Sequence, residues 1–140
     1  MNYKSIFSLL GILLGIFSCS FIPPLLVGYI YGETGIQIFL YSFLFFISLG
    51  GFLWIKNRQK DLPLNISDGF IITTMFWVVL ACAGSVPFFF FGLSPIDAIF
   101  ESVSGITTTG ATSIVGLDEL PKSLLLYRQL LQWVGGMGLI

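Results

Sequence analysis

The stretch GITTTGAT at residues 105–112 contains four threonines and two glycines but no charged side chain. It lies in a chain of 140 residues in which 56% are hydrophobic and only 9% are charged, with a mean hydropathy of +0.97. A soluble domain needs a hydrated polar surface, which this composition cannot supply. The sequence therefore predicts a membrane protein that is interrupted by one uncharged polar stretch.

The rest of the composition argues against several functions. The formal net charge is −1, so no basic patch indicates nucleic-acid binding. Cys19 and Cys82 lie in separate apolar runs and the chain has no histidine, which indicates neither a disulfide framework nor a zinc site. The acids near the polar stretch have no visible nucleophile or acid/base partner, so an enzyme is not indicated.

Three long runs without Asp, Glu, Lys or Arg divide the first two thirds of the chain: residues 5–32, 34–55 and 69–96. Each run is at least as long as the roughly 20 residues that a helix needs to cross the hydrocarbon core. We predict three spanning helices. A signal peptide is the alternative for the first run, but the run continues past Cys19. Pro23 and Pro24 are expected to kink or end this helix, and Gly11 and Gly15 form a GxxxG spacing that permits close helix contact.

Basic residues predict the orientation of these helices. Lys56, Arg58 and Lys60 crowd the connection after the second run, and Lys4 precedes the first run. Because cytoplasmic loops are enriched in Lys and Arg, the N-terminus and this connection should be cytoplasmic. Ser67 or Asp68 is then expected to cap the third helix on the inner side.

A short helix precedes the polar stretch. Ser94-Pro95-Ile96-Asp97 is typical of a helix start, with a cap, a proline in the first turn and an acid near the positive end of the dipole. We predict a helix from Pro95 to about Ser104, broken at Gly105, and therefore only about 15 Å long. A new apolar run begins at Leu124. The fold predicted is an all-α membrane protein in which a re-entrant pore helix and a loop separate two full helices.

Non-helical backbone at membrane depth must be enclosed by protein or line a water-filled path. Carbonyl oxygens on such a path can replace the hydration shell of an alkali cation, and Gly110 would allow its carbonyl to turn toward the axis. Residues 93–121 include four acids and no base, which favours a cation: Asp97, Glu101, Asp118 and Glu119. A phosphate-binding loop would need a lysine after Gly110, where Ala111 stands. A plain structural loop remains the alternative.

Arg128 lies about one turn inside the last apolar run. Its side chain could extend to the headgroups, as long basic side chains near helix ends commonly do. It could instead pair with Glu101 and tie the short helix to its neighbour.

Three segments together resemble the first pore repeat of the Trk/Ktr/HKT potassium transporters, and the bacterial Trk membrane subunit most of all: residues 100–112, 116–118 and 127–138. The resemblance implies potassium uptake through a pore built from four repeats in one chain. It also implies that the carbonyls of Thr108 and Thr109, with Gly110 beside them, bind K⁺, and that Thr107 and Ala111 are further candidates. Potassium is then the transported ion, and no organic cofactor is expected.

The same resemblance implies a bacterial inner-membrane location, a homodimeric membrane subunit and a cytosolic nucleotide-binding regulatory subunit. This chain holds one repeat, so we expect an N-terminal piece of a longer transporter, with a helix pair at residues 1–62 and the repeat at 63–140. Coupling to H⁺ or Na⁺, as in symport, stays open. A membrane scaffold or assembly subunit and a carrier with a broken-helix site near the midplane are the alternatives.

Overall fold

The computed structural model describes residues 3–58 and 65–138, and all regular structure within them is helical. The described helices are α1 Tyr3–Ser18, α2 Ile22–Tyr31, α3 Gln37–Asn57, α4 Ile66–Phe90, α5 Pro95–Ile106 and α6 Lys122–Gly138. Short 3-10 turns cover Cys19–Phe21 and Leu117–Glu119. The all-α fold class is confirmed. Lys60 and the division between residues 62 and 63 lie outside the described residues.

Three segments among the described residues are long and apolar enough to cross a membrane: Tyr3–Tyr31, Gln37–Asn57 and Ile66–Phe90. The three spans were predicted from the charge-free runs. The first span is interrupted at Cys19–Phe21, just before the two prolines. As expected, α1 ends before the prolines, and Pro23 and Pro24 lie in the first turn of α2, where their missing N–H groups leave no helical hydrogen bond unmade.

Glycines bring α1 and α3 into backbone contact. A Cβ atom added to Gly50 would lie 2.6 Å from the carbonyl oxygen of Gly11 and 2.9 Å from the backbone nitrogen of Gly15. Such distances leave no room for a side chain at Gly50, or at Gly11, whose own Cβ would lie 2.7 Å from Gly50 O, so small residues permit this approach. The GxxxG spacing of the first run therefore faces a third glycine, on α3.

Two predicted helix ends differ from the structure. Asn65, not Ser67 or Asp68, is the residue before α4, and the Asp68 carboxylate accepts the Asn65 N–H at 3.3 Å from within the first turn. Ser94 caps α5 as predicted, accepting the Asp97 N–H at 3.2 Å. That helix continues to Ile106, beyond the break expected at Gly105, because this glycine serves a close packing contact and not a turn.

The bundle has two distinct ends. At one end Glu33, after α2, contacts the start of α6, and the ring of Phe39 in α3 packs on Phe91, which follows α4. At the other end Ile6 and Ile72 share a small cluster that joins α1 to α4. The three spans therefore alternate in direction, and α5 and α6 both begin at the end that holds Glu33.

An aromatic core lies between these ends. Tyr127 of α6 is fully buried, with its ring 5.4 to 5.5 Å from those of Phe21, Phe39 and Phe88, and its hydroxyl donates to the Gly84 carbonyl at 3.0 Å. A buried tyrosine hydroxyl needs such a partner. This core fixes α6 against α2, α3 and α4, and α6 in turn supports α5.

Candidate functional site

The short helix α5 is wedged between α4 and α6. Glycines again allow the approach: a Cβ on Gly105 would lie 2.9 Å from that of Leu131, and a Cβ on Gly135 would lie 2.6 Å from the carbonyl carbon of Ile106. With 12 residues, α5 is about 18 Å long, which is little more than half of the hydrocarbon core. The loop that follows α5 therefore begins deep in the bundle.

The loop turns sharply at Thr107–Gly110. Thr108 has φ +59° and Gly110 has φ +74°, both in the left-handed region. Left-handed backbone is unusual for a β-branched residue, so the surroundings must hold Thr108 in place. The Thr108 N–H donates to Gly105 O at 2.9 Å, and the Thr109 N–H donates to Ser104 O at 3.0 Å. The amides of the turn are thus used by the carbonyl end of α5.

The carbonyl groups of the same turn, unlike its amides, are not hydrogen-bonded to α5. Within residues 3–58 and 65–138, the carbonyl oxygens of Thr107, Thr108 and Thr109 accept no hydrogen bond, and all three residues are exposed. Their side chains brace the turn: Thr107 Oγ1 donates to Val103 O at 2.7 Å and lies 2.9 Å from Thr109 Oγ1. The turn therefore presents three consecutive backbone oxygens that are available to a ligand.

Glu101 fastens the returning part of the loop to α5. This side chain is fully buried, and its Oε1 accepts from Thr112 Oγ1 at 2.5 Å and from the Ser113 N–H at 2.8 Å. Its other oxygen, Oε2, accepts from Arg128 Nε at 2.8 Å. Glu101 is consequently a structural group inside the protein and contributes no free charge to the exposed face.

Arg128 points into the protein and does not extend to the headgroups. Only 7% of the residue is exposed, and besides the ion pair its Nη2 donates to Gly110 O at 2.9 Å and to Ala111 O at 3.3 Å. Ser104 Oγ also donates to Ala111 O, at 2.6 Å. We expected the Gly110 carbonyl to turn toward the ion path, but in the structure it is bonded to Arg128, as is that of Ala111.

The electrostatic setting of the loop still favours a cation. The C-terminal end of α5, which carries the negative end of the helix dipole, is directed at the turn. Asp118 and Glu119 are exposed after the loop, whereas Asp97 is partly buried and accepts from Ser94 Oγ at 2.6 Å. Of the four acids noted in the sequence, Glu101 has its charge balanced by Arg128. The other three lie near the end of the bundle where α5 begins, and their charges are not balanced in this way by any of the described residues.

Sequence reasoning missed the role of Glu33. Its carboxylate accepts from the N–H groups of Lys122 and Ser123 at 2.6 and 3.1 Å, and from Ser123 Oγ at 2.5 Å, so it caps α6 from the turn after α2. Burial raises the pKa of Glu33, but the hydrogen bonds from Ser123 and Lys122 and the charge of Lys122 outweigh burial and hold it below 4.5. A lone acid between two apolar runs was the only signal.

The fold is an apolar helical bundle that contains a half-length helix followed by an uncharged loop. It places this protein in the class of all-α membrane proteins, of the kind found among transporters. The TrkH family, described as cation transport proteins, matches residues 35–140. The chain belongs to this family, which is one of transporters and not of enzymes. The resemblance seen in the loop and in α6 is thereby confirmed.

Individual relatives agree with this assignment. The Trk system potassium uptake protein TrkH of Vibrio parahaemolyticus is 46% identical over all of this chain, and that of Escherichia coli K12 is 44% identical. The crystal structure of the potassium transporter TrkH from Vibrio parahaemolyticus superposes with a TM-score of 0.93 over 99% of this chain. The chain spans about 30% of the length of each of these relatives.

Proposed function

We propose that the turn at residues 107–111 forms one part of a cation-conducting path in a potassium uptake protein. The observation that carries the proposal is the row of three carbonyl oxygens, on Thr107, Thr108 and Thr109, that lack partners among the described residues. Unpaired carbonyls are costly at membrane depth unless water or an ion meets them. An alkali cation that sheds its water is the ligand that such oxygens suit.

The chemistry of the turn disfavours an anion. An anion site uses free backbone N–H groups or a basic side chain, but the amides of Thr108 and Thr109 are bonded to α5 and Arg128 is neutralised by Glu101. Potassium is the proposed ion because the relatives are potassium uptake proteins.

We assign the K⁺ ligands to the carbonyls of Thr108 and Thr109, with that of Thr107 as a further candidate. Gly110 and Ala111 act in this assignment through the shape of the backbone, since their oxygens accept from Arg128. One turn supplies oxygens from one side only. The complete path is proposed to need equivalent turns from the rest of the full-length protein.

The setting of the full-length protein is part of the proposal. We place it in the bacterial inner membrane with the N-terminus cytoplasmic, as a homodimer that binds a cytosolic nucleotide-binding regulatory subunit. Lys56 and Arg58, which lie over the rings of Phe52 and Trp54 near the end of α3, are suited to the inner lipid interface. Transport by symport with H⁺ or Na⁺ and passive flux are both compatible with this site.

The test uses the full-length gene in cells that lack potassium uptake. Gly110→Ser places a side chain at φ +74°, where the nearest atoms lie 4.0 Å away, so the backbone and not a clash is perturbed. Left-handed backbone costs a residue with a Cβ about 1–2 kcal/mol, and relaxation of that strain would rotate the neighbouring carbonyls. We expect Rb⁺ uptake and its preference over Na⁺ to fall.

Gly116→Ser is the matched control. Gly116 has φ +77° and is exposed, and an added Cβ there would lie 3.6 Å from Glu119. It carries the same strain outside the turn and should keep the Rb⁺ preference. If both variants behave like the wild type, the loop is a packing element of a scaffold and the proposal is wrong.

A further inference from the structure

We propose that Arg128 is a positioning residue that sets the cation preference of the turn, and that Glu101 keeps its charge from opposing cation entry. This inference rests on the proposed function. The Arg128 guanidinium joins α6 both to α5 and to the loop that follows α5. Its Nε donates to the Glu101 carboxylate of α5, and its Nη2 donates to the backbone oxygens of Gly110 and Ala111 in the loop.

The row of available carbonyls ends at Gly110. The amides of Thr108, Thr109 and Gly110 are held by the end of α5, and the chain from Gly110 onward is held by Arg128 and Glu101. Between these two attachments, the carbonyls of Thr107, Thr108 and Thr109 accept no hydrogen bond from residues 3–58 or 65–138. Arg128 therefore determines how many oxygens face the ion and at what spacing.

The positive charge of Arg128 is balanced inside the protein by Glu101. The guanidinium is bonded to the oxygen of Gly110, the residue next to the proposed ligand Thr109, and an uncompensated positive charge there would repel an entering cation. Glu101 is fully buried and directly bonded to it, so the pair is neutral as a unit. Removing the carboxylate alone should harm cation uptake more than removing both charges.

The shape of the Arg128 side chain matters as well as its charge. Arginine has a planar fork that reaches a carboxylate and a carbonyl at the same time, whereas lysine offers one ammonium group on a flexible stem. Arg128→Lys keeps the charge but cannot hold Glu101 Oε2 and Gly110 O in the same geometry. The cation preference should then relax even where uptake persists.

The test measures Rb⁺ and Na⁺ uptake by the full-length protein in vesicles, with each purified variant first shown to be monodisperse. We expect Glu101→Gln to lower Rb⁺ uptake by on the order of tenfold, the effect of one unpaired charge close to the path. Glu101→Gln with Arg128→Met should recover part of that uptake but with a reduced Rb⁺ to Na⁺ ratio. Arg58→Met, which removes an arginine at the far end of α3, is the control and should match the wild type.

A charge exchange separates this role from that of a simple ion pair. Glu101→Arg with Arg128→Glu restores opposite charges, but a glutamate at position 128 cannot donate to Gly110 O. We expect the ratio of Rb⁺ to Na⁺ uptake to be lower than in the wild type both in this charge-exchanged double variant and in Arg128→Lys.

A wild-type ratio of Rb⁺ to Na⁺ uptake in the charge-exchanged variant or in Arg128→Lys would overturn the inference. So would a Glu101→Gln with Arg128→Met variant that takes up no more Rb⁺ than Glu101→Gln alone. Failure of the proposed function is distinguishable, because Gly110→Ser would then also leave the ratio unchanged.

Discussion

Gly135 of α6 offers the sharpest test of how α5 is seated. A Cβ at this position would lie 2.6 Å from the carbonyl carbon and 2.8 Å from the Cα of Ile106, the last residue of α5. All of these atoms are backbone, so no side chain can rotate away. Gly135→Ala must therefore push the end of α5 away from α6, directly beside Thr107.

The size of this effect follows from contact distances. Carbon atoms pack at about 3.5–4.0 Å, so the end of α5 must move by about 1 Å. Inserting a methyl group into a tight contact costs about 1–3 kcal/mol. Alanine also gains up to about 1 kcal/mol over glycine in a helix, which partly hides the cost.

Gly136→Ala is the matched control, because it has the same helix-propensity gain at the next position. An added Cβ there meets nothing closer than Thr108 Cγ2, at 3.7 Å, an ordinary contact. We expect Gly135→Ala to be less stable than Gly136→Ala by about 1–3 kcal/mol in thermal unfolding of the full-length protein in detergent. Its Rb⁺ preference over Na⁺ should also fall. Equal stability of the two variants would refute the close seating of α5 on α6.

Two further predictions concern the helix pair that precedes the repeat. Gly50→Ala should lower the free energy of unfolding by about 1–3 kcal/mol relative to Gly51→Ala, because its Cβ would lie 2.6 Å from Gly11 O whereas that of Gly51 meets nothing within 4 Å; equal melting temperatures would count against this contact. Glu33→Gln should cost about 0.5–1 kcal/mol at pH 7, since a partly exposed charged cap of α6 is lost. The pKa of Glu33 is depressed on folding, so the wild-type advantage should be present above pH 4.5 and disappear as the pH falls below it; a difference that is constant down to pH 3 would show that the charge is irrelevant.

The helices of this fold could be predicted because their signals are local. Charge-free runs gave the three spans, and Ser94 with Asp97 gave the start of α5. The end of α5 was missed by two residues at Gly105, since a glycine that breaks a helix and one that permits close packing look alike in sequence. Only the position of Leu131 in space separates the two cases.

The loop that holds the candidate site could be located from the sequence, but the hydrogen bonds of its carbonyls could not. The threonine turn and Gly110 stand out by composition, whereas the partners of its carbonyls depend on Arg128, 17 and 18 residues further along. Sequence alone left headgroup contact and pairing with Glu101 both open. Glu33 lies 89 residues before the helix that it caps, a contact that depends on the whole bundle.

The most direct measurement is the anomalous scattering of Rb⁺ or Tl⁺ bound to crystals of the full-length protein. We expect a cation beside the backbone oxygens of Thr108 and Thr109, with Gly110 O still bonded to Arg128. A turn that packs against neighbouring side chains with no cation, or a cation held by the Gly110 oxygen after it has left Arg128, would contradict it.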